Sequence, residues 1–153
     1  MSSLHQSFWT GREMRVTDAA TILQIGALCL RQGKRKKKVL LVKSSRGRWI
    51  IPKGWPMEGH TDAETAKIEA WEEAGVSKGR VSKAPVGGYM TEKRFDDGRT
   101  NVPCQVSVYR IDVTKTVKDY PEATIRESKW MSLPKASEKV NDDGLQALLA
   151  ALA

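Results

Sequence analysis

The chain predicts an α/β sandwich, a mixed β-sheet held between α-helices. Three observations carry this reading: strand-like apolar runs recur between residues 21 and 131, one sharply bounded helix interrupts them at 61–75, and an amphipathic segment closes the chain at 142–153. With 153 residues and 40% hydrophobic content, one core can be buried without disulfide or metal staples. No internal repeat, low-complexity tract or second domain interrupts the pattern. Residues 19–153 are therefore expected to form a single domain. Residues 1–18, which include Phe8 and Trp9, read as an amino-terminal arm that is disordered by default.

The elements follow in order. A strand near 21–31 and a second near 38–44 flank a turn at Gly33, where Arg31, Lys34, Arg35, Lys36, Lys37 and Lys38 crowd into a basic hairpin tip. A short strand at 48–51 runs into Pro52 and Gly54, which end it and open a loop. The helix at 61–75 has the Thr61/Glu64 spacing of a capping box, a small-residue stripe of Ala63, Ala66, Ala70 and Ala74, and Gly75 as its stop. Further strands are expected around 86–93 and 101–113, where Val106 and Val108 alternate with more polar residues, and a last strand ends near Trp130 and Met131. In the tail, Leu145, Leu148, Leu149 and Leu152 recur at helical spacing.

Charge and cysteine usage narrow the function. A net charge of +8 and a pI near 9.6 imply an anionic partner, either a compact polyphosphate or nucleic acid. Cys29 and Cys104 sit in strand-like runs without metal-site spacing and read as core thiols of a reducing compartment. The longest apolar run, at 19–30, is too short to cross a bilayer of about 30 Å. No signal peptide is legible in residues 1–18, so the expected location is cytoplasmic.

The chemistry concentrates in the helix. Glu69, Glu72 and Glu73 stand at i, i+3 and i+4, within one arc of its last two turns. There the macrodipole favours cations; acids and their mutual repulsion cost about 1–2 kcal/mol together. A divalent cation held by hard oxygen ligands, Mg²⁺ or Mn²⁺, would turn that repulsion into coordination, whereas a solvated acidic face is the bland alternative.

Residues 54–76, GWPMEGHTDAETAKIEAWEEAGV, resemble the Nudix box: a glycine, five residues, Glu, seven residues, then Arg-Glu-apolar-x-Glu-Glu-x-Gly-apolar. Gly54, Glu69, Ala70, Glu72, Glu73, Gly75 and Val76 match in register, seven of nine fixed positions. His60 stands where the family has Glu, and Ile68 where it has Arg. In the family that arginine is thought to hold a catalytic glutamate by an ion pair, which Ile68 cannot do and Lys67, about 100° to the side, replaces poorly. His60 is a candidate donor or phosphate contact, and Glu58 a candidate replacement for the missing glutamate. Residues 39–54 and 126–136 look like the flanking segments of the diphosphoinositol polyphosphate and diadenosine polyphosphate phosphohydrolase branch, so the resemblance spans about 24–140.

This resemblance implies a Nudix fold and metal-assisted hydrolysis of a diphosphate linkage in an anionic small molecule. Glu69 and Glu73 would ligate the metal, with the main-chain carbonyl of Lys53 or Gly54 beside them, and Glu72 would be the general base, although the roles of Glu72 and Glu73 could be exchanged. Ser44, Ser45, Arg46, Arg94 and Arg126 would contact substrate through hydroxyl and guanidinium groups. A carboxylate-bound metal beside basic residues favours phosphoryl chemistry over passive nucleic-acid binding. The favoured substrate is a diphosphoinositol polyphosphate or a dinucleoside polyphosphate. A nucleoside triphosphate or nucleotide sugar is the alternative, needing a stacking surface such as Trp9, Trp55 or Tyr89. A catalytically weak module that binds polyphosphate or RNA is the alternative of another class, made plausible by Ile68 and His60. Trp71, off the glutamate arc, reads as packing.

Overall fold

A computed structural model describes residues 3–6, 13–16, 21–93 and 101–153, and its described elements build one mixed sheet covered on both faces by helices. The long strands are β3 (Ile22–Gln32), β4 (Lys37–Lys43) and β9 (Val102–Thr116). β3 and β9 run parallel from Ile22 opposite Cys104 to Leu30 opposite Asp112, while β4 returns antiparallel beside the far end of β3. β10 (Ser128–Ser132) extends the sheet along β4, and β7 (Val76–Val81) and β8 (Gly87–Lys93) pair antiparallel with successive halves of β9. Two short pairings matter for function. β5 (Trp49–Ile50) lies on β4, and β6 (Lys53–Gly54) lies on β3 at Ile25 and Gly26.

Strand alternation divides the core into two layers. Ile25, Ala27 and Cys29 of β3, Leu40 and Val42 of β4, and Tyr109 and Ile111 of β9 face α1 (Asp62–Ala74), which meets them with Ala66, Ala70 and Ala74. On the other face Leu28, Leu30, Val39, Leu41, Val106 and Val108 meet α2 (Leu133–Lys139) and α3 (Asp143–Leu152) through Leu133, Ala136, Leu145 and Leu149. Both cysteines are free and buried in these layers, and burial pushes the Cys29 thiol up to about 12. No helix among the described residues is long and apolar enough to cross a membrane.

Several expectations change. Residues 3–6 and 13–16, expected to be disordered, form strands β1 (Ser3–Gln6) and β2 (Glu13–Val16) that pair with each other and, through Arg15 and Val16, with β3. Among the described residues three helices stand where two were expected: α2 is seven residues long, begun by the Ser132 hydroxyl accepting from Lys135 N–H and by a proline in its first turn, too short to show periodicity. β7 was also missed, because Ser77, Lys78, Gly79 and Arg80 disguise a strand exposed on one side.

Candidate active site

The carboxylate helix is held at both ends. At its start the Thr61 hydroxyl accepts from Glu64 N–H at 3.1 Å and the Glu64 carboxylate accepts from Thr61 N–H at 2.8 Å, the capping box expected from sequence. Its last turn closes on Gly75, with φ at 74°. The segment 117–127 then satisfies the carbonyls that any helix leaves open at its end: Val117 N–H donates to Gly75 C=O at 2.9 Å and Glu122 N–H to Glu72 C=O at 3.0 Å. This strap also carries Arg126, ion-paired with Glu122. The guanidinium lies near the carbonyl end of α1, where a cation is favoured.

Helical spacing brings Glu69 and Glu73 to the buried side of α1, with Glu72 half-buried beside them. Glu73 is pushed well above the usual carboxylate range, first by burial, then by its hydrogen bond to Glu69 and by the Glu69 charge; Arg126 pulls the other way. Glu69 also explains Gly54. A Cβ built there would overlap three atoms of the Glu69 carboxylate, Oε2 at 2.7 Å among them. Only glycine lets the β6 backbone lie against that carboxylate.

A cleft of about 180 Å³ opens over Glu73. The turn after β4 forms one wall: Gly47 N–H donates to Ser44 C=O at 2.9 Å and Arg48 N–H to the Ser44 hydroxyl oxygen at 3.1 Å, which sets Ser44, Ser45, Arg46 and Arg48 on the rim. Lys53 enters from the floor, where its ammonium donates to Gln24 Oε1 at 2.9 Å; burial pulls its pKa below the ordinary lysine value. Cys104 donates to the same amide oxygen at 3.4 Å. Arg126 and Lys93 bring the cations around the cleft to five. Asp142, whose carboxylate accepts from the Thr91 hydroxyl at 2.7 Å, closes the opposite side.

Six of the expected site residues thus converge: Ser44, Ser45, Arg46, Lys53, Glu73 and Arg126. Arg94 and Trp9 lie outside the described residues. Gln24, Arg48, Lys93 and Asp142 were missed, since each is polar or charged in a way any exposed residue might be until the sheet brings them together. The Lys53 side chain was missed too, because only its carbonyl drew notice.

Other expectations fail on position. His60 faces Glu64, 3.9 Å from its carboxylate, in a surface groove that also holds Ile68 and Trp71, on the side of α1 away from the cleft. It does not line the cleft. Glu58 is exposed in the preceding turn and does not line the cleft. Tyr89 is buried, so its ring cannot stack on a substrate base. The basic hairpin tip is not beside the carboxylates: Gln24 lines the cleft and Gln32 begins the tip, eight residues along β3 or about 26 Å away.

A family model of the NUDIX domain matches residues 22–152. The chain belongs to the Nudix family. Arabidopsis thaliana Nudix hydrolase 12, mitochondrial, is 31% identical over 117 residues, covering 74% of this chain and 57% of the relative; Nudix hydrolase 13, mitochondrial, from the same plant is 27% identical over 121 residues, covering 76% and 59%. The chain spans a little over half the length of these curated relatives. Among solved structures, a C. elegans Ap4A hydrolase binary complex superposes with a TM-score of 0.62 at 19% identity, covering 85% of this chain and 93% of that one. The NUDIX domain of Shewanella oneidensis NrtR, complexed with ADP ribose, superposes with a TM-score of 0.54 at 19% identity and 87% coverage of each. At such identities the structures establish the shared fold.

Nudix proteins generally use divalent metal ions. The residues here fit one: two buried carboxylates, Glu69 and Glu73, lie side by side, burial and the Glu69 neighbour raise the pKa of Glu73, and the Gly54 backbone is cradled against Glu69. Among the described residues no three acidic, histidine or cysteine side chains converge to hold an ion alone. Such a pair suits a cation completed by carbonyl, water and phosphate oxygens.

Proposed function

We propose that the chain is a metal-dependent pyrophosphohydrolase that cleaves a diphosphate linkage in a highly charged substrate, a diphosphoinositol polyphosphate or a dinucleoside polyphosphate. The observation that carries this reading is the cleft itself, where Arg46, Arg48, Lys53, Lys93 and Arg126 line the same walls as the Glu73 carboxylate and outnumber the three carboxylates there, Glu73, Glu92 and Asp142. Five cations in so small a space suit several phosphate groups, since guanidinium groups grip phosphates bidentately and lysine adds a point charge. The Ap4A hydrolase fold among its neighbours supports the dinucleoside arm.

When bound, a divalent cation, Mg²⁺ or Mn²⁺, neutralises charge on the substrate oxygens and makes water a stronger nucleophile. In this reading Glu69 and Glu73 hold the ion, with the carbonyl of Lys53 or Gly54 as a further ligand. Glu72 takes a proton from the attacking water; its place at the half-buried edge of the pair supports that assignment, while the position of Glu73 on the cleft wall supports the exchanged roles. Lys53, steadied by Gln24, and Arg126, steadied by Glu122, fix the phosphates, and Ser44 and Ser45 add hydroxyl contacts. Arg94 belongs to the same proposed set by the family resemblance alone. A cytoplasmic location is part of the proposal, supported by the two free buried thiols.

Among the described residues no aromatic side chain lines the cleft and Trp55 packs partly against the core beneath Lys93, which favours the inositol arm over every base-bearing substrate; a nucleoside triphosphate or nucleotide sugar is the alternative. The test is a panel of inositol pyrophosphates, dinucleoside polyphosphates, nucleotide sugars and nucleoside triphosphates with Mg²⁺ or Mn²⁺, read by phosphate and nucleotide release. Preference for the first two classes supports the proposal. Preference for either of the last two overturns its substrate assignment.

A further inference from the structure

We infer that the tip of the β3–β4 hairpin is a docking site for single-stranded nucleic acid, separate from the catalytic cleft. Arg31, Lys34, Arg35, Lys36, Lys37 and Lys38 fill six of eight consecutive positions, and they are six of the chain's 26 lysines and arginines. The turn is tight: Gly33 N–H donates to Lys36 C=O at 2.9 Å. Strand register sets Arg31 opposite Lys38, a like-charged pair that weakens a sheet unless an anion lies across it. With Ser132, five of these cations line a surface groove of about 910 Å³, and no carboxylate lines it.

Charge alone would suit any polyanion; two further features select a nucleic acid. The Arg31 guanidinium lies over the Trp130 indole with its carbon 4.1 Å from the ring centroid. Held there, this exposed planar cation can offer its other face to an unpaired base, as stacking platforms for single strands do. Residues 31–38 also contain no aliphatic or aromatic side chain that could enter a bilayer. A sugar-phosphate backbone along the lysines with a base against Arg31 uses every element of the patch. Because the tip lies about 26 Å from the cleft along β3, docking there leaves the cleft open.

The test is fluorescence anisotropy of labelled oligouridine and oligothymidine, each about twenty nucleotides long, across a salt series. The wild type should bind either or both at low salt, and a difference between them would identify the preferred sugar. In a Lys34→Gln/Lys36→Gln/Lys37→Gln variant the affinity should fall at least about tenfold and the slope of log K against log salt should become shallower by about 2. Its hydrolysis of small substrates and its melting temperature should be unchanged. Arg31→Lys should keep the salt slope and lose affinity, because it keeps the charge and removes the plane. Equal binding by wild type and triple variant, or no binding at low salt, overturns the inference. So does capture by anionic phosphatidylserine vesicles without binding to either oligonucleotide. A triple variant that loses hydrolysis in proportion overturns the separation of tip and cleft.

Discussion

Gly54→Ala is the substitution on which the geometry of the site bears most sharply. The added methyl would overlap three atoms of the Glu69 carboxylate, where Oε2 lies only 2.7 Å from the new carbon and ordinary contact begins near 3.4 Å. Glu69 is buried and hydrogen-bonded to Glu73, so the carboxylate cannot swing freely into solvent. It must move by about 1 Å, and overpacking of this kind costs about 1–3 kcal/mol. If the two carboxylates hold the metal, a displacement of that size lowers kcat about 100-fold. Stability is read by urea denaturation and activity by metal-dependent release of phosphate from the preferred substrate. Leu149→Ala is the control: Leu149 is fully buried beneath the sheet's other face, and its truncation costs about 2–5 kcal/mol without touching the cleft. At a temperature where both variants remain folded, only Gly54→Ala should show that loss of kcat. Full activity in Gly54→Ala, at whatever stability, would refute the claim that Glu69 must stay where the glycine allows it.

Two further outcomes follow from the same contacts. Because the folded protein raises the Glu73 pKa, it binds a proton more tightly than the unfolded chain does. Stability in the absence of metal should therefore be present at pH 4 and decline as pH rises above the ordinary carboxylate range. Glu73→Gln, which can still donate to Glu69, should raise the melting temperature at pH 8 and leave it unchanged at pH 4, and Mg²⁺ should stabilise the wild type at pH 8 but not this variant; calorimetry reads both. Arg126→Ala should raise KM about 10–100-fold with a smaller change in kcat, since a charged hydrogen bond contributes about 1.5–3 kcal/mol, and steady-state kinetics on the preferred substrate checks it.

Much of this was legible before any coordinates. Glu69, Glu72 and Glu73 announced themselves by standing where a helix disfavours acids, and Thr61, Glu64 and Gly75 bounded that helix because capping is local chemistry. The alanine stripe fixed which side meets the sheet. What was hidden depends on contacts distant in sequence. Gln24 steadies Lys53 from 29 residues away, and Cys104 reaches the same oxygen from 80. Asp142 enters the cleft only because α3 begins beside Thr91 of β8. Ile68, the departure that put catalysis in doubt, faces the groove on the outer side of α1, so an arginine there would begin away from the cleft.

The measurement that tests the account most directly is the metal-dependent turnover of Glu69→Gln and Glu73→Gln beside the wild type, on the best substrate of the panel and across a Mg²⁺ titration. The account predicts that the wild type turns over only with metal and that each substitution cuts kcat at least about 100-fold and raises the Mg²⁺ needed for half-maximal rate. Wild-type hydrolysis that proceeds without added metal in the presence of chelator, or that survives both substitutions, would contradict it.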